Sequence, residues 1–132
     1  MPAVIDINAA RSPLRYALAY AERGWHVFPV WGADGGVCRC GQPCKSPGKH
    51  PVSSLVRGGM SDATTDAETI KRWWQTMPEA GIGVSLAPSG LVAVDVDPRN
   101  GGYLTLEMLE DQHGRIETDL VHLTQGGGEH RF

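Results

Sequence analysis

Apolar residues recur at helical spacing in three stretches of the chain, and short apolar or alternating runs lie between them. Helices are predicted at residues 13–23, 67–77 and 103–111, and strands at 25–30, 81–85, 91–95, 118–124 and 129–132. Ser12 and Gly24 are typical start and stop residues for the first helix, and Thr65 or Asp66 caps the second. Because helices and strands interleave, the pattern predicts an α/β (α+β) fold with a mixed sheet packed on helices.

Two segments interrupt this pattern. A turn at residues 87–90 joins the strands predicted at 81–85 and 91–95. Residues 32–51 are rich in Gly, Pro and Cys, which predicts neither a helix nor a regular strand. Something other than an apolar core must therefore order that second segment.

Length and charge limit the classes of protein. A chain of 132 residues with 41% hydrophobic residues fits one domain. No run resembles a signal peptide or a membrane span, so we expect a cytoplasmic protein without a membrane partner. The net charge of −3 does not indicate binding to nucleic acid by bulk electrostatics. Residues 67–132 carry ten Asp or Glu against five Lys or Arg, so this half would repel phosphates unless divalent cations reversed its charge.

The irregular segment holds three thiols and one imidazole, at Cys38, Cys40, Cys44 and His50. An odd number of cysteines so close together argues against a disulfide framework. Four such ligands can complete a closed tetrahedral zinc site, and the nearby Gly and Pro residues allow the tight turns that it needs. The alternative is a mobile loop with free thiols, although the segment has no other evident source of order.

Two carboxylates, Asp95 and Asp97, end the apolar strand predicted at 91–95. Alternate residues of a strand share a face, so both side chains can hold Mg²⁺ or Mn²⁺ on one side of the sheet. Such ions serve phosphoryl transfer. The simpler interpretation is that both aspartates belong to a solvated turn.

Three consecutive glycines at 126–128 precede His130. Glycines permit close backbone approach, and successive N–H groups in such a turn can bind an anion. A triphosphate could then contact His130 if its strand lies beside the Asp95 strand. The predicted nucleotide-binding residues are therefore Thr124, Gly127, Gly128 and His130. A flexible hairpin with an ordinary surface histidine is the alternative.

These motifs, taken in order, resemble the N-terminal domain of bifunctional DNA primase/polymerases, of the archaeo-eukaryotic primase superfamily. The resemblance runs from about residue 17 to residue 132 and rests on five stretches. They are WHVFPV, the Cys loop ending in PGKHP, DATTDAETIKRWW, GIGVSLAPSGLVAVDVDPRNGG and LTQGGGEHRF.

The resemblance implies a palm like an RNA-recognition motif beside a small N-terminal αβ unit. A single domain fragment would then comprise a helix and strand at 12–31, a zinc loop at 32–51 and the palm at 62–132. Asp95 and Asp97 match the family's metal-binding D-x-D, and His130 matches the histidine that binds the nucleotide's phosphates. All three would be catalytic residues. The family also has a third acidic residue on a later strand, which this sequence does not include.

The expected function is template-directed nucleotidyl transfer in replication of a phage, plasmid or similar element. The implied partners are template and primer DNA, an NTP or dNTP, and a fused or separate helicase. One alternative is a non-catalytic nucleotide or single-stranded DNA binding module. It would use Lys71, Arg72, Trp73 and Trp74, although at least one indole is expected in the core. Another alternative is a metal-dependent nuclease or phosphatase that uses the same carboxylates.

Overall fold

The computed structural model describes residues 12–124 and 126–132. Contacts divide the chain into two compact units, Met1–Gly90 and Leu91–Phe132, which we call the N-terminal unit and the C-terminal unit. The boundary at Gly90 lies inside the segment 62–132 that was expected to form the palm. No helix among the described residues is long and apolar enough to cross a membrane.

Helices and small antiparallel sheets build the N-terminal unit. In chain order the elements are α1 (Pro13–Glu22), β1 (His26–Val30), β2 (Ala33–Asp34), β3 (Val37–Cys38), a 3₁₀ turn (Gly59–Asp62), α2 (Ala67–Thr76) and β4 (Gly81–Ser85). The two predicted helices are confirmed to within one residue. Asp66 is the cap of α2, since its side chain accepts a hydrogen bond from the Thr69 N–H.

The strand β4 pairs antiparallel with β1, with Phe28 opposite Gly83. A Cβ at Gly83 would overlap the Phe28 ring, so glycine is needed where the aromatic side chain crosses the neighbouring strand. The predicted turn at 87–90 is present and joins β4 to β5 in sequence. The two strands nevertheless belong to different sheets.

Buried aromatic and aliphatic side chains form the core of this unit. Trp74 is 2% exposed, and its indole N–H donates to the Ala80 carbonyl over 3.0 Å, so the buried polar atom is satisfied. The Trp73 ring meets Trp74 edge-on at 6.4 Å. Further core members are Ala17, Val27, Phe28, Val56, Ile70 and Ala80. Both indoles therefore belong to the packed core of this unit.

The prediction that residues 32–51 contain no strand is wrong in detail. β2 and β3 form a short antiparallel hairpin there. Its two turn residues, Gly35 and Gly36, have φ of +55° and +82°, which suits the tight turns of two-residue hairpins. The rest of the segment lies in turns and irregular backbone.

The C-terminal unit contains β5 (Val94–Val96), a 3₁₀ turn (Pro98–Asn100), α3 (Gly102–His113), β6 (Val121–Leu123) and β7 (Glu129–Arg131). The sheet order is β5-β7-β6, and both pairings are antiparallel. This is the split βαβ arrangement found in the first half of β-α-β-β-α-β domains. The predicted α/β class is confirmed, and the sheets of the described residues are antiparallel where a mixed sheet was expected.

All three strands of this unit are shorter than predicted, β7 by the single residue Phe132. β5 begins at Val94, because its ladder with β7 extends only from Val94 to Val96. β6 begins at Val121 and not at Thr118. The Thr118 hydroxyl donates to the Phe132 carbonyl and accepts from the Leu120 N–H. Together with the Phe132 N–H, which donates to the Leu120 carbonyl at 3.2 Å, these bonds join residues 118–120 to Phe132 without a regular ladder.

Candidate functional site

A row of three polar side chains crosses the sheet of the C-terminal unit. Asp95 on β5 lies directly opposite His130 on β7, and His130 lies directly opposite His122 on β6. Directly opposed residues share a face of the sheet. The Nε2 atom of His130 is 3.4 Å from Oδ1 of Asp95, and the two imidazole rings are 5.7 Å apart. The structure thus places His130 beside Asp95, the condition on which the predicted triphosphate contact depends, and places His122 on the same face.

Alternation along the strands separates this row from the apolar layer. Val96 is 2% exposed, whereas the Asp95 side chain is 68% exposed. On the same side as the row, the Phe132 and His130 rings are nearly perpendicular, with 6.2 Å between their centres. The row is therefore open to solvent and to ligands, with an aromatic contact that restricts the histidine.

The Asp97 carboxylate accepts hydrogen bonds from residues of the turn that follows it. Oδ1 accepts from the Arg99 N–H at 2.9 Å and from Arg99 Nε at 3.2 Å. Oδ2 accepts from Arg99 Nη2 at 3.0 Å and from Asn100 Nδ2 at 3.3 Å. The hydrogen bonds from the Arg99 side chain and backbone lower the pKa of Asp97. Because two oxygens offer about four acceptor positions, a cation can reach Asp97 only if one of these donors leaves.

Two glycines allow the backbone to close tightly around the carboxylate strand. A Cβ on Gly102 would lie 2.6 Å from the Asp97 carbonyl oxygen and 2.7 Å from the Asp97 nitrogen. A Cβ on Gly128 would overlap the Val96 carbonyl oxygen. Sequence reasoning did not single out Gly102, although its position just after the D-x-D turn was a usable signal.

The glycine turn is held by its own hydrogen bonds. The Gly128 N–H donates to Thr124 Oγ1 at 3.0 Å, and the Tyr103 hydroxyl donates to the Gly127 carbonyl at 3.2 Å. Gly127 has φ of +80°, which favours glycine. The predicted nucleotide-binding residues Thr124, Gly127 and Gly128 therefore shape the turn that leads into the His130 strand.

An ion-pair network lies on the opposite face of β7. Arg131 contacts Glu129 at 2.6 Å and Glu110 of α3 at 3.5 Å, and the Glu129 hydrogen bond raises the pKa of Arg131. Arg115 lies 3.9 Å from Glu110. These arginines are thus held against carboxylates, away from the face that carries His130.

The four predicted zinc ligands of the N-terminal unit come together. One ligand atom from each of Cys38, Cys40, Cys44 and His50 lies within 4.8 Å of all the others. Cys38 Sγ is 3.2 Å from His50 Nε2. Among the described residues, the aspartate and histidine row does not bring three such atoms equally close. A closed Cys₃His set matches the donors that structural zinc prefers, so these residues could hold such a metal.

Burial and local hydrogen bonds give the thiols of this cluster different pKa values. Burial raises the pKa of Cys38, but N–H donors from Gly48 and Cys40 and the neighbouring thiols more than offset this and bring it to about 6. Burial and the nearby sulfurs raise the pKa of Cys44 to about 11. Gly41 and Gly48, with φ of +76° and +71°, provide the turns that bring the ligands together. The cluster already favours one thiolate, which is the form that binds metal.

The exposed platform proposed for base stacking is not present on α2. Trp73 and Trp74 are both buried. Lys71 contacts Glu68 at 3.3 Å, and Arg72 donates to Thr69. This arrangement removes the main support for a single-strand binding surface at these residues.

The sequence matches the family model of bifunctional DNA primase/polymerase, N-terminal, over residues 17–132. The chain therefore combines an α/β fold, a possible metal cluster and a polar row on a sheet with the signature of a replication-type domain. It belongs to the bifunctional DNA primase/polymerase N-terminal family. No curated protein and no solved structure matches it.

Proposed function

We propose that this chain is the nucleotidyl-transfer domain of a DNA primase/polymerase. It would extend a primer on a DNA template with NTP or dNTP substrates in the replication of a phage, plasmid or similar element. The observation that carries the proposal is the placement of Asp95 directly opposite His130, with 3.4 Å between Oδ1 and Nε2. In this placement Asp95 would bind the cation and His130 would bind the phosphates, which are the two roles that the family resemblance implies for them.

In the proposed reaction the primer's 3′-oxygen attacks the α-phosphorus. The bond from that phosphorus to the bridging oxygen breaks, and pyrophosphate leaves. Asp95 would hold Mg²⁺ or Mn²⁺, which would lower the pKa of the attacking hydroxyl and offset phosphate charge. Asp97 would join it once Arg99 releases the carboxylate. His130 would donate an N–H to a phosphate oxygen, with its ring orientation restricted by Phe132.

A structural zinc ion that orders residues 32–51 would be held by the cluster of Cys38, Cys40, Cys44 and His50. Its donor set and mutual proximity support this role. A zinc-ordered loop offers a rigid surface for the template strand.

Primer extension with charge-matched variants tests the proposal. Asp95→Asn should lower metal-dependent incorporation by about 100-fold or more, as expected for removal of transition-state charge stabilisation. Asp119→Asn removes the same charge from an exposed position of the same unit and should leave incorporation unchanged. Equal incorporation by wild type and Asp95→Asn would defeat the assignment.

The products separate the alternative functions. Extended primer with pyrophosphate indicates a polymerase, whereas inorganic phosphate or shortened DNA indicates a nuclease or phosphatase. Nucleotide binding that persists in EDTA without incorporation would favour a non-catalytic binding module.

A further inference from the structure

The C-terminal unit has few cations available for phosphate. Residues 91–132 contain three arginines and no lysine, against eight Asp or Glu. Each arginine lies within 4 Å of a carboxylate: Arg99 at Asp97, Arg115 at Glu110, and Arg131 at Glu129 and Glu110. Because these arginines are already paired, the imidazoles on the open face of the sheet are further candidate donors for a polyphosphate.

His122 is placed to be such a donor. It stands directly opposite His130 on the neighbouring strand, with 5.7 Å between the ring centres. It is exposed, and neither of its ring nitrogens is hydrogen-bonded within residues 12–124 and 126–132. An imidazole retains an N–H donor in either neutral tautomer. The two rings therefore present a pair of donors on the face that carries Asp95.

The sheet spacing distinguishes this role from metal binding. Neighbouring strand backbones lie about 5 Å apart, so the backbone of His122 is two strand spacings, roughly 10 Å, from the backbone of Asp95. A divalent cation held by Asp95 has ligands only about 2 Å away. Among the described residues, Asp95, His130 and His122 do not form a group of ligand atoms close enough to hold one ion, so His122 is not placed as a ligand of that ion.

We propose that His122 is a second phosphate-binding residue, which acts with His130 to bind the triphosphate of the incoming nucleotide. This inference rests on the proposed function, because it places the triphosphate across the same row. The phosphates nearest Asp95 would lie beside the cation that Asp95 would hold, and those farther along would accept hydrogen bonds from His130 and His122.

Calorimetric titration of the full chain with Mg²⁺-tripolyphosphate and with Mg²⁺-dATP tests the inference. His122→Ala should weaken both ligands about tenfold, the loss expected for one hydrogen bond to a charged group. A similar loss for tripolyphosphate, which has no base or sugar, assigns the contact to phosphate. His122→Gln keeps an N–H donor and should recover part of the affinity. His113→Ala, at the end of α3, is the matched control and should bind as wild type does.

The outcomes separate the two claims. If His130→Ala weakens binding and His122→Ala does not, the inference is wrong and the proposed function stands. If the wild type binds neither ligand, or neither histidine variant matters, both claims fail. Hydrogen exchange across β6 and β7 identifies any variant that loses the sheet, and the His122→Gln result then decides.

Discussion

Replacing Gly128 with alanine should weaken the contact between the glycine turn and the carboxylate strand. The added Cβ would overlap the Val96 carbonyl oxygen and would stand 3.0 Å from Pro98 Cδ and 3.1 Å from Thr124 Oγ1. The Val96 carbonyl and the Pro98 ring cannot rotate away as a flexible side chain would. The structure can relieve the overlap only if β5 and the turn move apart.

Overpacking of this kind costs about 1–3 kcal/mol. At 1.4 kcal/mol for each factor of ten, opening of the β5–β7 pairing should become roughly 5- to 150-fold more frequent. The same movement would separate Asp95 from His130, so metal-dependent nucleotide binding should fall as well.

Amide hydrogen exchange, read by mass spectrometry on peptides that cover Val94–Val96 and Glu129–Arg131, measures this opening. Gly126→Ala is the matched control, because a Cβ there meets no atom within 4 Å. Faster exchange in Gly128→Ala but not in Gly126→Ala is the expected result. Equal exchange in both variants would refute the steric argument.

Two further predictions concern metals. Elemental analysis of protein purified without added metal should find about one zinc per chain, and Cys40→Ser should lose it; a metal-free wild type would remove the zinc site from the proposal. Arg99→Ala should tighten Mn²⁺ binding about two- to fivefold, because it frees the Asp97 oxygens from an exposed ion pair. Paramagnetic resonance of Mn²⁺ measures the change, and Arg115→Ala is the charge-matched control. Weaker binding in Arg99→Ala would show that the arginine supports the site and does not compete with the cation.

The hydrogen bonds from Arg99 to Asp97 affect how the proposed site would bind its cation. A carboxylate that already accepts four hydrogen bonds is held in place but is not free to bind an ion. Arrival of a nucleotide with its cation would offer Arg99 phosphate oxygens in exchange for Asp97. Metal and substrate would then bind together. The Arg99→Ala measurement without nucleotide tests only the first step, which is the release of the Asp97 carboxylate for the cation.

Much of the local structure could be predicted from the sequence. The helices follow from apolar spacing and end residues, such as Asp66 before α2, because helical hydrogen bonds join residues only four apart. The Cys38 to His50 cluster was also accessible, since its four ligands lie close in sequence and tight turns bring them together. The resemblance to primase/polymerases, and its extent, were confirmed by the family match.

The tertiary structure decided the features that depend on distant pairing. Alternation along a strand tells which residues share a face, but it does not tell which strand lies beside it. The turn at 87–90 joins β4 to β5 in sequence, for example, but the strand that pairs with β4 is β1. His122 became part of the row only through its register with His130. The engagement of Asp97 by Arg99 and the close approach at Gly128 likewise depend on atoms that only the folded backbone brings together.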